Sequence, residues 1–357
     1  MKSTDNVTLN RLLMLVARQG ASDLHLTVGS PPVIRKEGEL YQLEGEEILT
    51  AHFIERILES FLSPEDRLIL EKEQEIVVTY TFNKILRYRI SIYKQKGYFS
   101  ATFRYIQLLS KKIADLELPP YLEKAARYKN GLIMVAGVYD SGKNTTAAAV
   151  VNTLNELGPP RYINTLEKPV EYLFSNNMCI IEQREVGKDV ASYTQGLQLV
   201  LEGDIDMVVI DRVDNQKTMK KILEVLEAGR LVLLIVTASS SVSALGKLTS
   251  LVEVSEVGWA YKVLAQHLQC VLMQKLIHRI GGGRVLIYEF LVNTGVVPGL
   301  IAMGNLERIP AALMNSQDLG MTTMERILAR LVQKGEVKLE DAMLEANDKN
   351  YLKNLLR

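Results

Sequence analysis

The chain reads as a two-domain α/β protein: an α+β N-terminal part, then a larger α/β part on a central, mainly parallel sheet. Three observations carry that expectation. At ~150 residues per domain, 357 residues exceed one compact core. The first hundred residues contain stretches that alternate apolar and polar side chains, the period of half-buried antiparallel strands. From residue 131 near-continuous apolar runs alternate with helical stretches, as in a parallel sheet covered on both faces.

The elements follow in order. An amphipathic helix is expected at 8–19, then a strand at 22–28 and two short strands turning at Gly38. Helical periodicity returns at 51–63, and Ser63-Pro64-Glu65-Asp66 reads as a helix start with proline in the first turn. EIVVTYTF (75–82), RYRISIY (87–93) and FSATFRYI (99–106) read as paired antiparallel strands, with Arg87 and Arg89 on one face. The stretch 108–130, with a Pro-Pro and a closing Asn130-Gly131, reads as a connector between domains at 1–107 and 131–357. Beyond it, strands are expected at 131–137, 161–167, 207–211, 230–238 and 284–292, with a helix at 145–157. IGGGR (280–284) reads as a glycine-rich turn between a helix and the last of these strands. The end reads as helices, the first capped by Gly335.

Composition narrows the function classes. Lys plus Arg and Asp plus Glu are 42 each, so the chain lacks the basic excess of a dedicated nucleic-acid binder. Apolar residues at 47% and charged residues at 24% describe a folded globular protein. Apolar runs such as LVLLIV (231–236) are far shorter than the ~18 residues of a spanning helix, so no membrane insertion is expected. Cys179 and Cys270 lack metal-ligand spacing and read as buried thiols.

The most specific motif is GVYDSGKNTT, Gly137 to Thr146, between an apolar strand and a helix. This is the GxxxxGK pattern in its meaningful context. Gly137 and Gly142 let the backbone curl so that N–H groups face inward, with Asp140 and Ser141 between them. Lys143 would reach the terminal phosphates. The next position usually offers a hydroxyl to Mg²⁺ and here is Asn144, followed by Thr145. Asp140 adds an unusual negative charge beside the phosphates. A chance glycine turn is the competing reading.

Several segments resemble the secretion ATPase family of type II and type IV pilus systems, most closely its retraction (twitching motility) branch. They are QGASDLHLTVGSPPVIRKEGEL (19–40), LELPPYL (116–122), IIEQREVGKD (180–189), IGGGR running into YEFLV, and MTTMERILARLVQKGEVKLEDAM (321–343). The resemblance runs nearly end to end. It implies a PAS-like N-terminal domain, a RecA-like P-loop domain, ATP with Mg²⁺, and a hexameric ring. It also implies a cytoplasmic protein peripheral at the inner face of the cell membrane. The implied partners are copies of itself or a paralogous pilus ATPase, and an inner-membrane platform protein, with no nucleic acid.

The same resemblance assigns further positions. Its acidic box appears as TLEKPVEY, with Glu167 and Glu171 kept and Lys168 where an aspartate is usual. Asn144 and Glu167 are the candidate metal ligands, and the two acids Glu167 and Glu171 suit magnesium or water positioning, with surface carboxylates as the competing reading for both. Asp211 stands for the catalytic glutamate, one methylene shorter, and Thr237 for a histidine whose charge it cannot carry. Arg89 and Arg104 match arginines that reach a neighbouring subunit's γ-phosphate; ordinary strand-face charge is the alternative. His25, His52 and His278 are expected in structural or surface roles. The expected function is an ATP-binding pilus subunit that couples binding or slow hydrolysis to movement of its N- against its C-domains. A catalytically inactive paralogue beside an active ATPase is the second reading.

Overall fold

The computed structural model describes residues 4–36, 38–82, 86–106 and 111–357. The chain divides into units Met1–Leu108 and Leu109–Arg357, each with its own apolar core. The expected boundary at 107/108 lies outside the described residues. The stretch read as a connector belongs to the second unit from Leu109 onward, and Ile113, Leu118 and Leu122 are buried in that unit's core.

The first unit runs α1 (Thr4–Gln19), β1 (Asp23–Thr27), β2 (Val33–Lys36), β3 (Glu39–Gln42), α2 (Ala51–Phe61), α3 (Pro64–Glu73), β4 (Glu75–Phe82), β5 (Leu86–Gln95) and β6 (Tyr98–Ile106). Its strands form one antiparallel sheet in the order β3-β2-β1-β6-β5-β4. The start of α3 is a capping box: the Ser63 hydroxyl accepts from the Asp66 N–H, the Asp66 carboxylate accepts from Ser63, and Pro64 lies in the first turn. Along β5, Tyr88, Ile90 and Ile92 enter the core, so Arg87, Arg89 and Ser91 line the other face.

The second unit runs α4 (Pro120–Ala126), β7 (Gly131–Gly137), α5 (Lys143–Leu157), β8 (Tyr162–Glu167), β9 (Ile180–Glu185), α6 (Tyr193–Glu202), β10 (Met207–Ile210), α7 (Gln216–Glu227) and β11 (Leu231–Thr237). It continues through α8 (Ser241–Ser250), α9 (Val257–His267), β12 (Leu268–His278), β13 (Arg284–Val292), α10 (Val297–Ala302), α11 (Ile309–Asn315), α12 (Met324–Gln333), α13 (Leu339–Glu345) and α14 (Lys349–Leu355). The sheet order is β13-β12-β7-β11-β10-β8-β9, parallel throughout except for the β12–β13 hairpin. The expected mixed α/β architecture with a mainly parallel sheet is what the chain adopts. Strands β7, β10 and β11 are buried almost throughout, which is why they read as unbroken apolar runs. Gly335 follows the C-cap of α12 at φ +71°, the left-handed conformation that ends a helix.

One expectation is corrected. IGGGR does not follow a helix: it joins two strands, β12 and β13. In LQCVLMQKLIH every position from Cys270 to Gln274 is buried, on both faces of the strand, and such a run has no period that separates strand from helix. Strand β9, at the edge of the sheet, is IIEQRE and mostly polar, so it lacks the apolar run of the other parallel strands.

Candidate functional site

Parallel strands expose a crevice beyond their carboxyl ends, and ligands of open α/β sheets bind there. Gly137 ends β7, Glu167 ends β8, Asp211 follows β10 and Thr237 ends β11. The register aligns Gly137 with Thr237 on one side and Gln274 on the other. Residues scattered over more than a hundred positions thus share one rim.

The phosphate loop curls tightly from the end of β7. A Cβ at Gly137 would stand 2.3 Å from Ser141 Oγ and 2.6 Å from the Gln274 carbonyl, so only glycine fits. Gly142, at φ +84°, is the N-cap of α5 and supplies no side-chain cap, leaving the first N–H groups of that helix to an anion. Lys143 turns back into its own loop: Nζ donates to the Val138 carbonyl at 2.5 Å and lies 3.4 Å from Ser141 Oγ. Burial pushes this ammonium's pKa down, against the pull of Asp140 and Glu171. Asp140 sits at φ +60°, and Arg284 Nη1 donates to its Oδ2 at 2.8 Å.

Gln274 holds the loop from below. Its side-chain Nε2 donates to the Ser141 carbonyl at 2.6 Å, while its Oε1 accepts from Thr146 Oγ1 at 2.9 Å. Gln274, Ser141 and Thr146 are each at most 2% exposed. One amide therefore joins the loop to the first turn of the following helix.

The acidic segment closes over the start of α5. Asn144 Nδ2 donates to Glu171 Oε2 at 2.8 Å, and Thr145 Oγ1 lies 2.9 Å from the Tyr172 hydroxyl. Glu167 Oε1 accepts from Thr165 Oγ1 at 2.6 Å and from Gln183 Nε2 at 3.5 Å. Burial pushes the Glu167 carboxyl up to about 7, opposed by the Thr165 hydrogen bond and reinforced by the charge of Asp211. Asn144, Glu167, Tyr172 and Asp211 line one narrow cleft.

Asp211 is fully engaged. Its Oδ1 accepts from the Tyr193 hydroxyl at 2.5 Å, and its Oδ2 accepts from the Lys168 N–H at 3.0 Å and from Arg212 Nη2 at 3.0 Å. Arg212 also donates to the Lys168 carbonyl, tying the end of β10 to the turn after β8. Burial raises the Asp211 pKa, against the pull of Arg212, Tyr193 and the Lys168 N–H.

Arg89 and Arg104 belong to the first unit, where they are direct cross-strand partners on β5 and β6; Arg104 also pairs in register with Asp23. His25 is partly buried, with Nδ1 3.1 Å from Thr102 Oγ1, and burial lowers its pKa. His52 and His278 are exposed, and both cysteines are buried free thiols. Among the described residues no group of three or more His, Cys, Asp or Glu is arranged to hold a metal ion on its own.

Sequence reasoning overlooked Gln274, Arg284, Tyr193 and Arg212 at this rim. Gln274 had a signal, an amide directly after the apolar run Cys270–Met273. Tyr193 had none, because only the packing of α6 beneath the sheet brings its hydroxyl to Asp211.

Comparison with known proteins agrees with this arrangement. Residues 111–344 match the type II/IV secretion system protein family. The type IV pilus retraction ATPase PilT of Pseudomonas aeruginosa is 28% identical over 338 residues, covering 95% of this chain and 98% of that protein. The type IV pilus ATPase PilU of the same organism is 28% identical over 348 residues, covering 97% of this chain and 91% of that protein. The crystal structure of the pilus retraction motor PilT with bound ADP superposes with a TM-score of 0.85 at 28% identity, over 96% of this chain and 98% of that one. With its mainly parallel sheet, its phosphate loop and a family match over most of its length, the chain belongs to the type II/IV secretion system protein family.

Proposed function

We propose that this chain is a nucleotide-binding subunit of a type IV pilus machine of the retraction type, taking ATP with Mg²⁺ at the phosphate loop and hydrolysing it weakly. The observation that carries this reading is the loop itself: curled at Gly137 and Gly142, open to an anion at the uncapped start of α5, and provided with Lys143. The likeness to PilT and PilU over nearly their full lengths supports the pilus setting.

The residues present fit both groups. The N–H donors of the loop and Lys143 suit polyphosphate, and Ser141, Asn144 and Thr145 complete the rim. Asn144 uses its amide nitrogen on Glu171, which turns its oxygen to other partners. That oxygen and Glu167 are the candidate ligands for Mg²⁺, which takes oxygen donors and keeps several waters and phosphate oxygens. When bound, the metal supplies charge neutralisation between the phosphates.

Weak hydrolysis follows from the neighbours. A carboxylate that polarises water must reach it, and both Asp211 oxygens already accept hydrogen bonds from Tyr193, Lys168 and Arg212. Thr237 supplies no charge at the rim. Glu167 and Glu171 remain candidates for water positioning, and Arg89 and Arg104 for reaching the nucleotide of a neighbouring subunit in a homohexamer. The engagement of Asp211 also favours a second reading, an inactive or regulatory paralogue that co-assembles with an active pilus ATPase. Either form works in the cytoplasm, peripheral to the membrane, through a platform protein. Among the described residues no helix is long and apolar enough to cross a membrane.

The test is ATP binding and steady-state hydrolysis with Mg²⁺, beside Lys143→Ala. Binding lost in the variant, with low wild-type turnover that still exceeds the variant's, is expected. No binding by the wild type sinks the nucleotide reading, turnover above the variant sinks the inactive paralogue, and tight binding without turnover sinks hydrolysis by this chain alone. Asp211→Glu combined with Thr237→His should raise turnover by about tenfold or more. No gain from that pair places the limit elsewhere, Asn144 first.

A further inference from the structure

The phosphate loop carries an acid where a polyanion is to bind. Asp140 occupies the left-handed region at φ +60°, which disfavours a residue with a Cβ. The loop cannot readily carry it away, because Ser141, the next residue, is held by Gln274 below and by its own bond to the Val138 carbonyl at 2.8 Å. Around the site Asp140 and Glu171 face Lys143, while Arg212 is taken up by Asp211, an unfavourable balance for ATP. Arg284 alters that balance. It opens β13, across the hairpin from His278, and its guanidinium meets Asp140 at 2.8 Å.

We propose that Arg284 is a positioning residue for nucleotide: its guanidinium neutralises Asp140 and so makes this phosphate loop able to accept a polyphosphate. The inference rests on the nucleotide-binding reading and deepens it. Two other roles fit the same contact and make different predictions. If Arg284 were a phosphate ligand restrained by Asp140, removing Asp140 would not compensate for its loss. If the pair were a latch that closes the loop, breaking it would tighten binding. The charge balance favours neutralisation. Both side chains are about two-fifths exposed, at 41% and 42%, so the effect is partly screened and falls with salt.

A double-mutant cycle decides among these roles, with ATP titrated by calorimetry at low and high salt. Arg284→Ala should weaken ATP binding by about fivefold to tenfold at low salt, and less at high salt. Arg284→Lys should recover most of the loss, and Asp140→Gly should bind as well as the wild type or better. The variant carrying both Asp140→Gly and Arg284→Ala should bind within about twofold of Asp140→Gly alone. Thermal melting of the nucleotide-free variants should stay near that of the wild type, which separates a charge effect from a misfolded loop. Arg284→Ala binding like the wild type, or more tightly, overturns the proposal. So does a double variant as weak as Arg284→Ala, which would make Arg284 a direct phosphate contact. A wild type that binds no ATP, like Lys143→Ala, defeats the parent reading and this one together.

Discussion

Gln274 shows what a single side chain does at this site. Its amide donates to one buried partner and accepts from another, and neither has water to fall back on. Gln274→Leu is expected to destabilise the chain by about 2–6 kcal/mol, since it orphans two buried groups at about 1–3 kcal/mol each. It should also weaken ATP binding, as read by urea unfolding and nucleotide titration; both values unchanged would mean that the loop holds its own shape. Glu167 sets a pH dependence. Its folded pKa of about 7 lies above the ordinary 4.5, so the folded state holds the proton more tightly than the unfolded chain. Its contribution to stability is therefore present below pH 4.5 and lost as pH rises through 7, a change of at most roughly 3 kcal/mol. Glu167→Gln should flatten that slope in a denaturation series from pH 4.5 to 7.5; an unaltered slope would assign it to another group.

Individual elements hold or lose the site through their ends. The turn from β7 into α5 tolerates only glycine at its first position, because Ser141 and the Gln274 backbone occupy the space of a Cβ. Gly137→Ala is expected to abolish ATP binding, whereas Ser63→Ala, which removes the α3 cap in the other unit, should cost about 1 kcal/mol and leave ATP affinity unchanged. Comparing the two by chemical denaturation and ATP titration separates a local distortion from a general loss of stability. The same ends explain what was legible. Pro64 with Ser63 and Asp66, and Gly335, are residues whose chemistry specifies a helix terminus, so α3 and α12 could be read directly. Strand β12 could not, because burial on both sides removes the alternation that identifies a strand.

At the scale of the whole molecule, two apolar cores divide the chain, and the candidate residues divide with them. Lys143, Glu167, Asp211 and Thr237 belong to the second unit; Arg89 and Arg104 belong to the first. A fragment spanning 111–357 is therefore expected to fold cooperatively and bind ATP, while lacking both arginines. Calorimetric unfolding and ATP titration of that fragment check this, and a fragment that fails to unfold cooperatively would show that the second core depends on the first unit. The sequence by itself determined the two-part organisation, the parallel sheet, the phosphate loop and the family. The first three depend on local period, on turn chemistry and on one motif confined to ten residues, and the family on similar segments spread over nearly the whole chain. Only the tertiary structure decided the state of the site: Asp211 engaged by Tyr193 and Arg212, Asn144 turned to Glu171, Asp140 matched by Arg284, and the loop anchored on Gln274. The reason is that parallel strands bring their carboxyl ends to one rim from distant parts of the chain. Hydrogen bonds made across that rim have no fixed spacing along the sequence.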